Sequence, residues 1–169
     1  MTMLPGSPTL LIRPYDVRDA EPLWQLLAPA IQAGEYFALP VDMSQGEAVA
    51  DWSGGDHHCY IALQEGQVVG SYYVRPNQRG GGAHVANAGY ATLPSARGRG
   101  VARAMCLHSL ETAAQLGFRS MQFNFVLSSN HAAIALWQAC GFSTVGRLTE
   151  AFLHPRLGYI DALIMARRC

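Results

Sequence analysis

Apolar positions in the first part of the chain follow two different spacings. Thr9-Leu10-Leu11-Ile12-Arg13 is a compact apolar run ended by Pro14 and reads as a strand. Leu23, Leu26, Leu27, Ala30 and Ile31 then recur at three and four residues, the stripe of an amphipathic helix, with Asp16 or Asp19 as its cap. A weaker helix is predicted from Ser44 to Trp52, beyond Pro40. Runs from Cys59 to Leu63 and from Val68 to Val74 flank Glu65-Gly66, a hairpin signal, and His57-His58 leads into the first of them. After the turn Arg79-Gly80-Gly81-Gly82, Ala83 to Thr92 continues the meander as another antiparallel strand.

The second part alternates. Leu93-Pro94 ends the strand, and Arg97-Gly98-Arg99-Gly100 leads into a helix carrying Ala102, Met105, Cys106, Leu110 and Ala113, with Gly117 as its stop. Ser120 to Leu127 is the next strand. Asn130 caps a helix whose Ala133, Leu136, Trp137 and Cys140 share one face, and Gly141 stops it. Phe142 to Val145 and Tyr159 to Ala166 supply the last strands. Strand, helix, strand, helix, strand in this order requires crossover helices on a partly parallel sheet. The predicted fold class is α/β, a single mixed sheet of about seven strands flanked by about four helices.

Composition narrows the class. A chain of 169 residues, half of them apolar and 14% charged, suits one folded domain, residues 1–169, rather than a disordered chain. The longest apolar run, Ala132 to Trp137, is far too short to span a membrane. Met1 to Pro5 lacks the basic and long apolar stretches of a secretory signal, so a cytoplasmic protein is expected. Twelve arginines balance twelve carboxylates and lysine is absent, a poor basis for binding nucleic acid. Cys59, Cys106, Cys140 and Cys169 form no CxxC pair and stand apart from the histidines, so no metal site is expected.

Candidate chemistry concentrates in Leu93 to Ala102. A glycine-rich turn between a strand and a helix gathers free backbone N–H groups at the positive end of the helix dipole, a setting that favours phosphate. Gly98 and Gly100 leave room for close approach, and Arg97, Arg99 and Arg103 add charge. A plain turn with solvated arginines fits this segment equally well. The P-loop pattern fails, because Val101-Ala102 stands where Lys-Ser or Lys-Thr is needed. The dinucleotide fingerprint fails at Arg103.

Arg97-x-x-Gly100-x-Ala102 resembles the (Gln/Arg)-x-x-Gly-x-(Gly/Ala) pyrophosphate loop of the GCN5-related N-acetyltransferases. Asn130-x-x-Ala133-x-x-Leu136-Trp137-x-x-x-Gly141-Phe142 is similar to their second motif. The resemblance is firm from Ala83 to Arg168 and rests on element order before that. It implies a mostly antiparallel twisted sheet, splayed at its centre, with acetyl-coenzyme A as co-substrate and an amine as acceptor. On that basis Tyr90, Ala91 and Thr92 pair through their backbone with the pantetheine arm. The N–H groups of Gly98, Arg99, Gly100, Val101, Ala102 and Arg103 take the pyrophosphate beside Arg97, and a main-chain donor at Tyr90 polarises the thioester carbonyl. Asn130 bonds the arm near the sulfur, serves as a helix cap, or does both. Many relatives carry a tyrosine acid where this chain has Trp137, whose indole N–H cannot protonate a thiolate; a wall beside the cofactor is the role expected instead.

For the acceptor, the strands His84–Leu93 and Met121–Ser129 carry no acidic residue, which disfavours a strongly cationic amine. Asn87 and Asn124 offer neutral donors and acceptors suited to a small zwitterion; as solvent-facing strand residues they have no such role. Met121-Gln122-Phe123-Asn124-Phe125-Val126, Val145-Gly146-Arg147-Leu148, Ala151-Phe152, His154-Pro155 and Gly158-Tyr159-Ile160-Asp161-Ala162 resemble the azetidine-2-carboxylate N-acetyltransferases, which act on proline analogues. That likeness implies acceptor contacts at Asn87 and Asn124, with Asn124 holding a water that relays the amine proton; His154 and Asp161 are expected in or near loops, in structural roles. The reading is an N-acetyltransferase of small amines acting by direct attack in a ternary complex, with no nucleic-acid or membrane partner and a homodimer allowed. Two rivals stand beside it: protein N-terminal acetylation and a non-catalytic acyl-coenzyme A sensor.

Overall fold

The computed structural model describes residues 8–169; the N-terminal stretch Met1 to Pro5 read above lies outside them. Strands β1 (Leu10–Pro14), β2 (His58–Gln64), β3 (Gln67–Pro76), β4 (Val85–Thr92), β5 (Ser120–Leu127), β6 (Ser143–His154) and β7 (Gly158–Arg168) form one sheet in the order β1-β2-β3-β4-β5-β7-β6. Helices α1 (Ala20–Ala33), α2 (Gln45–Ser53), α3 (Val101–Gln115) and α4 (His131–Ala139) cover it. Among the described residues only β4 and β5 pair in parallel; the other neighbours are antiparallel. The mixed, mostly antiparallel seven-stranded sheet with four helices expected from the sequence is the fold.

Local chemistry accounts for the joints. Glu65 and Gly66 both have positive φ, 51° and 76°, the backbone of a two-residue hairpin turn. Gly34 ends α1 in the left-handed conformation with φ 67°. Of the two acids offered as caps for α1, neither caps it. Asp16 and Asp19 instead form a reciprocal capping box around a 3₁₀ turn, Val17–Asp19, and α1 follows without a side-chain cap. Asp19 is spent elsewhere: its carboxylate takes both ends of the Arg13 guanidinium, at 2.7 and 2.9 Å, and so ties β1 to the turn.

Each face of the sheet buries its own core. On one side α1 and α2 bring Leu23, Leu27, Ile31 and Trp52 against Ile61 and Ala91. On the other, α3 and α4 pack Met105, Cys106, Leu110 and Trp137 against Tyr72, Val74, Met121 and Phe123.

Strand β6 is much longer than the predicted Phe142–Val145. Nearly every residue of it is exposed, because it is an edge strand with no helix over it. Burial therefore imposes no alternation that a sequence pattern could show. Glu150, at φ 49°, sits in a register break between Leu148 and Phe152, and its N–H donates to Asp161 Oδ1 at 2.9 Å. Asp161, expected in or near a loop, lies within β7, where it also receives Arg147 Nε. His154 is buried at the end of β6, and its Nδ1 accepts the N–H groups of Arg156 and Leu157, which shapes the hairpin tip.

Candidate active site

The central pair of strands parts almost as soon as it forms. β4 and β5 are in register only at Val85–Ser120 and Ala86–Met121. Beyond that, β5 shifts register against β7 between Phe123 and Val126, and the two strands diverge. Asn87 Nδ2 donates to the Gln122 carbonyl at 2.9 Å across the opening, where the next ladder bond would have been.

Antiparallel strands exchange bonds through alternate residues. Leu93 N–H donates to Val69 and Asn77 N–H to the Val85 carbonyl, so the odd-numbered residues of β4 are bonded to β3. His84 accepts from Arg119 on the opposite edge. The main-chain groups of Ala88, Tyr90 and Thr92 therefore face the gap. Ala91, grouped with Tyr90 and Thr92 in the sequence reading, directs its own groups at Ser71 of β3 and buries its methyl in the core under α1.

β4 runs out directly beside the N-terminus of α3. Gly98 and Gly100 have φ of 76° and 80°, and a Cβ added at either would meet nothing within 4 Å. Gly100 is the N-cap and has no side chain to offer, so the N–H groups of Val101, Ala102 and Arg103 have no acceptor inside the helix. They open into a cleft of about 1000 Å³. Tyr90, Ala91, Thr92, Arg97, Gly98, Gly100, Val101, Ala102, Arg103, Asn130, Trp137, Asn87 and Asn124 all line this one cleft. Arg99 alone of the residues singled out from the sequence does not, and it is exposed. A loop that gathers orphan N–H groups at a fifteen-residue helix, with arginines on both sides, fits a pyrophosphate, and a strand edge with free donors and acceptors fits an amide-bearing arm.

The Acetyltransferase (GNAT) family model matches residues 21–142. The chain belongs to that family. A GCN5-related N-acetyltransferase from Kribbella flavida is 36% identical, with a TM-score of 0.90 over 95% of this chain and 98% of that one. N-acetyltransferase aca1 of Schizosaccharomyces pombe is 35% identical over 98 residues, 57% of this chain and 47% of that protein. The chain thus spans about half the length of that curated relative. A phosphinothricin acetyltransferase from Sinorhizobium meliloti, solved in complex with AcCoA, shares the fold at 22% identity, with a TM-score of 0.83 over 95% of this chain and 88% of that one.

Within this GNAT frame, the side chains sort by the face they occupy. Asn130 accepts from the Ala133 N–H at 3.3 Å, which caps α4, and the residue lines the cleft. Trp137 packs 4.8 Å from Tyr90 and 4.9 Å from Phe123, ring to ring, as a buried wall. The Tyr90 hydroxyl is bound to Ser109 Oγ at 2.5 Å on the α3 side, and burial pushes its pKa well up, so this phenol stays neutral. What Tyr90 offers the gap is its main chain.

Asn87 and Asn124 line the same cleft but are differently engaged. Asn124 is exposed; its Nδ2 donates to Asn77 Oδ1 at 2.6 Å and its Oδ1 accepts from Gln122 Nε2 at 3.0 Å. β4 and β5 carry no acidic residue, as read from the sequence, but they are not the only elements that line the cleft. Glu35 and Asp51 line it from the α1–α2 segment. Glu35 is paired at 2.7 Å with Arg156 from the β6–β7 tip, so two distant parts of the chain meet over the cleft. Phe37, Trp52 and Tyr73 add an aromatic wall below them. None of these stands in a local motif, and no spacing signals them.

Proposed function

We propose that this chain, acting as a single catalytic domain over residues 1–169, transfers the acetyl group of acetyl-coenzyme A to the amine of a small amino or imino acid. The observation that carries the reading is the free edge of β4 running into the orphan N–H groups of α3, with Asn87 and Asn124 in the same cleft. Acetyl-coenzyme A supplies the activated thioester. The N–H groups from Gly98 to Arg103 hold the pyrophosphate, assisted by Arg97. The main chain of Tyr90 and Thr92 holds the arm, Asn130 binds near the sulfur, and Trp137 walls the slot. The Tyr90 N–H stabilises negative charge developing on the carbonyl oxygen during direct attack in a ternary complex. Asn124, supported by Asn87, positions a water that carries the amine proton away, and positioning supplies most of the acceleration. A thiolate, from a thiol of pKa roughly 8.5, leaves without a protein acid.

A small acceptor is favoured over a protein N-terminus by the Glu35–Arg156 pair, which ties the α1–α2 segment to the β6–β7 tip at the cleft, where a peptide would need an open groove. The likeness of Met121–Val126 and of the β6–β7 region to the azetidine-2-carboxylate N-acetyltransferases supports proline analogues within that class. The test is a thiol-release screen of amino acids, proline analogues and N-terminal peptides. Turnover of the small acids above the peptides is expected. Turnover of peptides alone would assign the chain to protein acetylation, and acetyl-coenzyme A binding without turnover would make it a sensor.

A further inference from the structure

Tyr73 is the best-anchored side chain in the cleft with no assigned task. It extends from β3 on the face covered by α1 and α2, and its ring lies flat across β4 at Gly89. A Cβ at position 89 would stand 2.6 Å from Cε1, 2.7 Å from Cζ and 2.8 Å from the hydroxyl oxygen. Only glycine leaves the ring that space. Two neighbours hold it from the sides: Trp52 edge-on at 4.9 Å and His57 stacked at 4.3 Å. Both are themselves pinned, Trp52 by donating to Ser71 Oγ at 3.0 Å and His57 through its Nδ1 and the Trp52 carbonyl at 2.9 Å.

Such fixation orders a ring, and it also orders the hydroxyl that the ring carries. Among the described residues Arg75 Nε is the one fully buried side-chain nitrogen or oxygen without a hydrogen-bond partner. The Tyr73 hydroxyl also has no hydrogen-bond partner and is therefore not fully buried, and Tyr73 lines the cleft. It stands over Gly89, beside the gap-facing main chain of Tyr90 and on the same face of β4 as Asn87, whose Nδ2 keeps a second hydrogen after bonding Gln122. Burial raises the pKa of this phenol, so at neutral pH it is a donor and not a base. Arg75, two residues along the same strand face, adds positive potential, with its Nη1 3.5 Å from His57 Nε2. The carboxylate of Asp51, from α2, lies on the same side of the sheet as Tyr73, and its charge also raises the Tyr73 pKa, after burial.

Resting on the small-acid reading above, we propose that Tyr73 is a specificity-determining residue of the acceptor pocket, its hydroxyl donating, beside Asn87, to the carboxylate of the amino or imino acid. A ring that merely packed against β4 would serve as well without its oxygen, and that difference is measurable.

The experiment compares Tyr73→Phe with wild type on azetidine-2-carboxylate and on azetidine, which lacks the carboxylate. For the carboxylate acceptor kcat/KM should fall about ten-fold, mostly through KM, the size expected for one hydrogen bond to a charged group. For azetidine it should stay within about two-fold, and the KM of acetyl-coenzyme A should not move. Gly89→Ala, which pushes the ring aside, should cause the same carboxylate-selective loss and add little in the Tyr73→Phe background. Unchanged melting temperatures identify the variants as folded. Equal losses on both acceptors, or none on either, would overturn the proposal while leaving the small-acid reading intact. A wild type that acetylates peptides and neither small amine would overturn both.

Discussion

At the residue scale, the site depends on what is missing from a side chain as much as on what is present. Gly100 combines a φ of 80° with open space where its Cβ would be, so Gly100→Val both strains the backbone and fills the approach to the helix N-terminus. This variant should lose the rise in melting temperature that acetyl-coenzyme A gives the wild type; an undiminished rise in a folded variant would remove the loop from the binding site. Trp137 is the converse case, a large side chain serving as a wall. Trp137→Phe keeps an aromatic ring against Tyr90 and Phe123, and most of kcat should survive, with a stability loss on the order of 1–3 kcal/mol from the space the indole vacates. A collapse of kcat at unchanged cofactor affinity would show instead that the indole takes part in the chemistry.

Elements are held to one another by a few polar joints, and these set how the protein responds to pH. Asp19 joins β1 to the turn before α1 through Arg13, and this hydrogen-bonded partner, ahead of the Asp16 N–H, holds its pKa below the ordinary value of 3.8. A carboxylate depressed on folding stabilises the native state fully above its unfolded pKa and loses that contribution as pH falls through the folded one. The stability gap between wild type and Asp19→Asn should therefore be constant near neutral pH and close only below about pH 3.8, measured by thermal melts across that range. The Glu35–Arg156 pair joins two elements at the cleft instead. The Arg156 side chain is 72% exposed, so the pair contributes little to stability. Arg156→Ala should leave the melting temperature near wild type, raise the acceptor KM and relax the exclusion of peptides, which a peptide-against-amino-acid rate ratio would read.

On the scale of the whole molecule, both faces of one sheet contribute residues to a single cleft. The α3 N-terminus and the β4 edge present free backbone N–H groups, and the α1–α2 side presents the aromatic and acidic wall. Because ligand binding to the native state alone adds stability, acetyl-coenzyme A at about a hundred times its Kd should contribute roughly 2.7 kcal/mol. Calorimetry in its presence would measure this, and no shift at saturation would exclude the cleft as its site.

Much of this was legible in the chain itself. Seven strands, four helices and the loop from Arg97 to Arg103 follow from spacing, glycines and caps, because these depend on residues a few positions apart. Where no neighbour imposes a pattern, legibility ended: exposed β6 shows no alternation, and Asp16 and Asp19 satisfied each other before either could cap α1. The α1–α2 side of the cleft was the least visible part. Glu35, Asp51, Tyr73 and Arg156 come from four separate segments, and nothing local marks a carboxylate that will meet an arginine 121 positions away or a tyrosine that needs a glycine on the next strand. The sequence alone determined most of the elements and the glycine-rich loop before α3, whose free N–H groups follow from local backbone chemistry; the parting of β4 from β5 and the wall opposite it were decided by tertiary structure, because both arise from packing between residues far apart in the chain.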